Sequence, residues 1–191
     1  MSKCSPTYFQ KILTGLLIVT IPCLLFAFSE IAGSDNKRLL IGTELFPSFL
    51  ASDTNISEKT DNDGNLFIVV IYQYDIQTAK DMAKRLKSLG KIRDIPIKVK
   101  VSSAQEIEKF DNQKIAGMFI SETMIPLTSI INDSIEKHYI VFSPYEGDVE
   151  KGVTGGIYIT EKILPYINLT TTHRAAIKMK SFFIRVSKKY E

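Results

Sequence analysis

The feature that most constrains the fold is an unbroken apolar run, Leu66–Tyr72, with the sequence LFIVVIY. β-Branched and aromatic residues dominate the run, and no charged residue interrupts it. This pattern is typical of a strand that is buried on both faces, as in a parallel sheet. Because such a sheet must be covered by helices on both sides, the run indicates an α/β protein.

The same alternation of strand and helix continues along the chain. Asp75 is expected to cap a helix that stops at Gly90. Further strands are predicted at residues 95–101, 114–120 and 139–142. The helices between them are expected to start at Ser102 or Ser103 and at Ser121 or Thr123. This order predicts βαβ units with right-handed crossovers and a parallel sheet.

The flanking regions complete the predicted fold. Residues 38–51 have helical spacing of apolar side chains, and Pro47 predicts a kink or break near Leu45 and Phe46. Residues 153–159 and 163–169 are predicted to form a β-hairpin, followed by a short helix over Thr172–Ala176. The apolar residues 179–186 fit a helix or a strand. The predicted class is α/β, with a mostly parallel sheet flanked by helices, a C-terminal β-hairpin and a closing apolar helix or strand.

The first 29 residues have the parts of a secretory signal peptide. Lys3 and Lys11 are followed by the apolar run Ile12–Phe28, and small residues at Ala27 and Ser29 fit a cleavage site. An uncleaved anchor is the alternative, because the run 12–28 has 17 residues, which is at the short limit for a bilayer span. Lipid attachment at Cys23 fits less well, since Pro22 precedes it. We therefore expect a signal segment at 1–29 and a single periplasmic α/β domain at 30–191.

Charge and cysteine content narrow the function. The whole chain has a formal charge of +3, and loss of residues 1–29 would remove two lysines and leave 22 basic and 21 acidic side chains, or +1. A nucleic-acid role therefore has no electrostatic support. Cys4 and Cys23 both precede residue 30, so the expected domain has no disulfide and no cysteine metal site.

No catalytic motif is present in the sequence. No serine lies in a G-x-S-x-G turn, and the glycines of 147–152 flank acidic residues that would repel phosphate. The histidines, His138 and His173, are far apart in sequence and are insufficient for a structural zinc site. We predict a protein that is not an enzyme, with no catalytic residue, no metal and no cofactor.

The candidate binding residues follow from the predicted sheet. Ligands of open α/β sheets bind along the carboxyl edge of the strands. The joins that follow the strands place Tyr74, Ser121 and Ser143 at that edge. The charged loop Ser143–Gly152 is the best candidate for a recognition surface, and it adds Tyr145, Glu146, Asp148 and Glu150.

The C-terminal part contains four short segments of mostly apolar residues: Gly156–Ile159, Ile167–Leu169, Ala175–Met179 and Phe182–Val186. In these segments the chain resembles the end of the YfiR-like family of small periplasmic α/β proteins. The similarity in element order extends over about residues 38–187. It implies a periplasmic regulator that restrains an inner-membrane diguanylate cyclase through contact with its periplasmic part. The chain departs from the family in lacking its cysteines and in having the acidic stretch 144–152.

Two functions are therefore predicted. The first is a non-enzymatic periplasmic regulator or sensor that acts on an inner-membrane protein partner, with the membrane contacted only through the N-terminal segment. The second is a small-molecule binding protein related to the solute receptors of transporters, with its site near Tyr74, Ser121, Ser143 and Tyr145.

Overall fold

The computed structural model describes residues 35–191, which contain a sheet of eight strands. The strands are β1 (Leu66–Tyr72), β2 (Lys91–Ile92), β3 (Ile95–Ser103), β4 (Gly117–Ile120), β5 (Ile140–Ser143), β6 (Gly155–Ile159), β7 (Ile163–Asn168) and β8 (Lys188–Tyr190). They lie side by side in the order β2-β3-β1-β4-β5-β6-β7-β8. The predicted signal segment 1–29 and both cysteines lie outside the described residues.

The sheet is parallel through its centre and mixed at its edges. Strands β3, β1, β4, β5 and β6 pair in parallel, in that order. Strand β7 runs antiparallel to β6 and forms the predicted hairpin, β8 pairs in parallel with β7, and β2 pairs antiparallel with β3. The chain moves outward from β1 first to β3 and then, on the other side, to β4. The predicted fold class is confirmed, and the direction of winding reverses between β1 and β4.

Helices cover both faces of this sheet. Residues 35–52 are helical (α1), and the other helices are α2 (Ile76–Ser88), α3 (Leu127–Lys137), α4 (Leu169–Arg174) and α5 (Ser181–Val186). Short 3-10 turns span Ile56–Lys59 and Ala104–Phe110. Side chains of α1, α2 and α5 share one apolar cluster with one face of the sheet. Those of α3 and of the turn at Ala104–Phe110 share a second cluster with the other face.

Four local expectations need correction. The helix α1 continues through Pro47, so the predicted break is wrong. The buried rings of Phe46 and Phe49, on either side of Pro47, pack the helix against the sheet. Helix α3 begins at Leu127, after the N-cap Pro126, and not at Ser121 or Thr123.

The other two corrections concern an edge strand and the start of a helix that was expected over Thr172–Ala176. The strand β2 was not expected; it pairs through a tight turn at Arg93 and Asp94, both with positive φ. Helix α4 starts at Leu169 and is capped by Asn168, whose side chain accepts from the N–H of Thr171. The closing apolar segment is the helix α5, followed by β8.

Helix α1 packs closely on the sheet because β6 has a glycine, Gly155, beneath the ring of Phe49. Phe49 lies with its ring centroid 5.0 Å from that of Phe142 and 5.0 Å from that of Phe183. A Cβ atom at Gly155 would lie 2.3 Å from the Phe49 ring. Glycine is therefore the residue that lets this ring reach the strand.

We expect Gly155→Ala to lower the free energy of unfolding by about 1–3 kcal/mol, the usual range for overpacking in a core. Denaturation in urea measures this change. The matched double variant Gly155→Ala with Phe49→Leu should lose less than the sum of the two single changes, because a smaller side chain relieves the contact. Full additivity of the two changes would contradict this packing.

Candidate functional site

The three predicted strand-to-helix joins lie at one edge of the sheet. Strands β1, β4 and β5 are parallel neighbours, so Tyr74, Ser121 and Ser143, which end or follow these strands, all lie at the carboxyl edge. This confirms the expected placement. The reversal of winding between β1 and β4 lies at the same edge, and such a point is where open α/β sheets bind ligands.

Ser121 and Ser143 are buried, and their hydroxyls are used within the chain. The Ser121 hydroxyl donates to the carbonyl of Ile71 at 2.7 Å, and the Ser143 hydroxyl donates to Asp148 Oδ2 at 2.7 Å. The hydroxyl of Tyr145 donates to the carbonyl of Ser121 at 2.7 Å. These bonds connect the ends of β1, β4 and β5. Both serines therefore stabilise this edge of the sheet from its buried side.

Asp148 holds the acidic loop, residues 144–152, against the sheet. Although it belongs to a charged loop, it is buried and bonds the Ser143 hydroxyl with one oxygen. Its other oxygen, Oδ1, lies 2.9 Å from Lys151 Nζ. A buried carboxylate needs such partners to offset the loss of water. Asp148 therefore supports the loop and adds a shielded negative charge beneath Lys151.

Glu146 and Glu150 remain at the surface of the loop. A Glu146 oxygen lies 3.9 Å from Nη1 of Arg38, and Glu150 accepts a hydrogen bond from the hydroxyl of Tyr166 at 3.0 Å. Burial of the Tyr166 side chain, together with this bond to Glu150, raises the pKa of Tyr166 to about 12. Tyr166 therefore stays a neutral hydrogen-bond donor across the ordinary pH range.

Glu122 is a site residue that the sequence did not single out. Its carboxylate accepts three backbone N–H groups in succession, from Gln73 at 3.1 Å, Tyr74 at 3.0 Å and Asp75 at 2.7 Å. Successive N–H groups of this kind form a concave site for an anion. Here the chain's own carboxylate occupies it and joins the loop after β4 to the loop after β1. The only signal in the sequence is a carboxylate directly after a buried strand.

Two apolar side chains project from these joined loops. Tyr74 is 80% exposed and Met124 is 88% exposed. Met124 has a positive φ of 65°, which directs the backbone sharply away from the strand before α3 begins. The two residues flank the Glu122 contact and give the edge an exposed apolar character.

A groove of about 230 Å³ lies between the loop after β4 and the acidic loop. Its lining comprises Met124, Ile125, Leu127, Thr128, Ile131, Asp148 and Lys151. Most of these side chains are apolar, and the two charged ones are already paired with each other. Of the predicted site residues, Asp148 lines this groove.

A second, smaller pocket of about 70 Å³ lies on the other side of the acidic loop. It is lined by Arg38, Tyr145, Glu146, Gly147, Glu150, Ile157, Tyr158, Ile159 and Tyr166. The predicted residues Tyr145, Glu146 and Glu150 meet here. Arg38, Tyr158 and Tyr166 were not expected, because they come from α1 and the hairpin, far from the loop in sequence.

Within residues 35–191, no group of three or more histidine, cysteine, aspartate or glutamate side chains is arranged to hold a metal ion. In the same part of the chain, no helix has both the length and the apolar character to cross a membrane.

We expect Glu122→Ala to lower the free energy of unfolding by about 1–2 kcal/mol, because three N–H groups lose a charged acceptor and turn to water. Chemical denaturation measures the change. Glu136→Ala, which removes an exposed carboxylate from α3, is the matched control and should stay within about 0.5 kcal/mol of the parent. Equal stability of the two variants would show that the Glu122 contact does not hold the loops together.

Comparison with known proteins identifies the fold but no family. No family model matches the chain, and no curated protein matches it. One solved structure that is similar to it is the ABC domain in complex with L-Trp from Streptococcus pneumonia, with a TM-score of 0.52 and 9% sequence identity. The match covers 73% of this chain and 59% of that chain. At this identity the similarity shows a shared α/β fold alone.

Proposed function

We propose that this chain is a non-catalytic binding domain that takes a small organic ligand at the carboxyl edge of its sheet. The observation that carries the proposal is the groove of about 230 Å³ between the loop after β4 and the acidic loop. It lies at the carboxyl edge of the sheet, one strand away from the reversal of winding between β1 and β4, because its lining comes from the loop after β4, from α3 and from the acidic loop after β5. Open α/β sheets bind ligands at that edge.

The lining of the groove indicates the kind of ligand. Ile125 and Ile131 are buried and form an apolar floor, whereas Met124 is exposed and flexible enough to close over a bound group. Lys151 has an exposed ammonium with three N–H donors, and its contact with Asp148 uses one of them. Polar atoms form more of the exposed lining than apolar atoms, so the groove is suited to a small molecule with one anionic group, further polar groups and an apolar part.

The size of the groove limits that ligand. Small-molecule sites usually have volumes of about 300–1,000 Å³. At about 230 Å³, this groove is below that range and therefore suits a small ligand. The similar solved structure is a complex with L-Trp, which has an apolar ring and a carboxylate. L-Trp and other apolar amino acids are therefore the first compounds to test.

We expect a ligand of this class to raise the melting temperature, because it binds the folded state alone; a concentration of 100 times Kd would add about 2.7 kcal/mol. A thermal-shift screen of apolar amino acids and small carboxylic acids measures the effect. Thr128→Trp should abolish it, since Thr128 is exposed and lines the groove, so that a large ring fills the space without disturbing the core.

Ser129→Trp is the matched control, because Ser129 is the exposed neighbour of Thr128 on α3 and is not part of the lining. This variant should keep the thermal shift. The proposal fails if no compound of the class stabilises the parent protein, or if Thr128→Trp and Ser129→Trp respond alike.

A second candidate function is the periplasmic regulator implied by the YfiR-like segments. It is favoured by the exposure of Tyr74 (80%) and Met124 (88%) at the same edge. Large apolar side chains grouped on a surface often mark a protein interface. In this proposal the chain acts in the periplasm on the outer part of an inner-membrane protein, and the edge of the sheet is the contact surface.

A native pull-down from inner membranes tests this second candidate. We expect the parent protein to retain a membrane-bound cyclase, and the double variant Tyr74→Ser with Met124→Ser to lose it. The exposed pair Ile163→Ser with Phe182→Ser, at a different part of the surface, is the control and should leave retention unchanged. Recovery of no inner-membrane protein by the parent would contradict the regulatory role.

A further inference from the structure

The pocket on the other side of the acidic loop has a different chemistry from the groove. Three tyrosines contribute to its walls, Tyr145, Tyr158 and Tyr166, and two glutamates lie at its rim, Glu146 and Glu150. The faces of aromatic rings carry partial negative charge and attract cations. We infer that this pocket binds the cationic head of an organic molecule, such as a quaternary ammonium group.

The rings are held in place before any ligand arrives. The ring of Tyr145 is buried in the second apolar cluster, so Tyr158 and Tyr166 supply the ring faces, and the hydroxyl of Tyr166 donates to Glu150 at 3.0 Å. Tyr158 packs edge-on against Tyr166, with centroids 5.5 Å apart and planes at 64°. A fixed set of rings loses little conformational freedom on binding, which favours affinity for a small group.

The charged groups around the pocket are two cations, Arg38 and Lys188, and two carboxylates, Glu146 and Glu150. Arg38 contributes one positive charge, but its guanidinium donates to the carbonyls of Pro144 at 2.9 Å and Ile157 at 3.3 Å, and lies 3.9 Å from Glu146. Arg38 is therefore fixed in the wall and balanced by Glu146. Lys188 balances the overall charge of Glu150, but the Glu150 carboxylate is exposed at the rim, bonded by the neutral Tyr166 hydroxyl, where a ligand cation can reach it.

The chain itself already places a cation on one of these rings. Lys188 Nζ lies 5.4 Å from the centroid of Tyr158. This distance is within the range of a cation–π contact. The Tyr158 ring thus takes part in the type of interaction that the pocket would offer to a ligand.

Size distinguishes an organic cation from a metal ion. A cavity needs about 10–15 Å³ to hold one water-sized group. The pocket, at about 70 Å³, therefore holds roughly five water-sized groups. A trimethylammonium group with its attached carbon has five heavy atoms. A calcium ion instead takes six to eight oxygen ligands, and the pocket offers two carboxylates and is otherwise mostly aromatic and aliphatic.

Isothermal titration with choline tests the inference. Its neutral isostere 3,3-dimethylbutan-1-ol has the same shape without the charge. It should bind at least about tenfold more weakly, because it has neither the cation–π attraction to the rings nor the electrostatic attraction to Glu150. This comparison uses the parent protein and does not depend on any variant. Equal affinity for the two compounds, or no binding of choline at millimolar concentration, would overturn the inference.

Variants assign the binding to the pocket. Glu150→Gln and Tyr158→Leu should each weaken choline binding by about five- to tenfold. Glu161→Gln, an exposed glutamate in the turn of the hairpin, is the matched control and should have no effect. A melting curve for each variant verifies its folding, and unchanged binding in both folded pocket variants would contradict the assignment.

Cation binding in the tyrosine pocket is independent of ligand binding in the proposed groove. Thr128→Trp fills the groove on the other side of the loop, so it should leave choline binding as in the parent. Loss of choline binding in this variant would show that the cation does not bind among the tyrosines. Failure of the amino-acid screen would leave the choline result untouched, so the two proposals can fail separately.

Discussion

The pair Gly155-Gly156 in β6 is the constraint on which the site depends. Successive residues of a strand face opposite sides of the sheet. On one side, the absent side chain of Gly155 admits the ring of Phe49 and seats α1 on the sheet. On the other, a Cβ atom at Gly156 would lie 2.6 Å from the side chain of Val149 and 2.7 Å from the carbonyl of Ser143. The acidic loop can therefore lie close against the strand.

Because the acidic loop lies close against β6, it separates two cavities. Val149 is buried against Gly156, and Asp148 is held by the Ser143 hydroxyl, so the middle of the loop is fixed. Glu146 and Glu150 project to one side and Lys151 to the other. The loop thus separates the tyrosine pocket from the larger groove and contributes charged groups to both. A more mobile loop could not keep two chemically different cavities apart.

The elements that could be predicted from the sequence are those governed by local signals. The apolar run of 66–72 forms β1 with the expected bounds, Asp75 accepts from the N–H groups of Gln77 and Thr78, and Gly90 has a positive φ of 69°. In each case the residue and its close neighbours decide the conformation. The parallel pairing of the central strands followed from their alternation with helices, whereas the order of the strands came from the structure alone.

The sequence was a poor guide where distant parts of the chain meet. A helix was expected to start at Ser121 or Thr123, but the Ser121 hydroxyl bonds the carbonyl of Ile71, fifty residues away, and α3 starts at Leu127. Asp148 looked like a surface charge, yet Ser143 and Lys151 satisfy it and allow its burial. Arg38, Glu122 and Tyr166 reach the site from other elements, so their neighbours in sequence gave no indication of their position.

The central claim is that a ligand binds at the carboxyl edge between the loop after β4 and the acidic loop. Amide chemical-shift mapping by NMR, with the most stabilising compound of the screen, tests it most directly. We predict the largest shifts at residues 122–131 and 147–152, with little change at the opposite edge near residues 61–63 and 112–114. Shifts concentrated at that opposite edge, or spread evenly over the domain, would contradict the account.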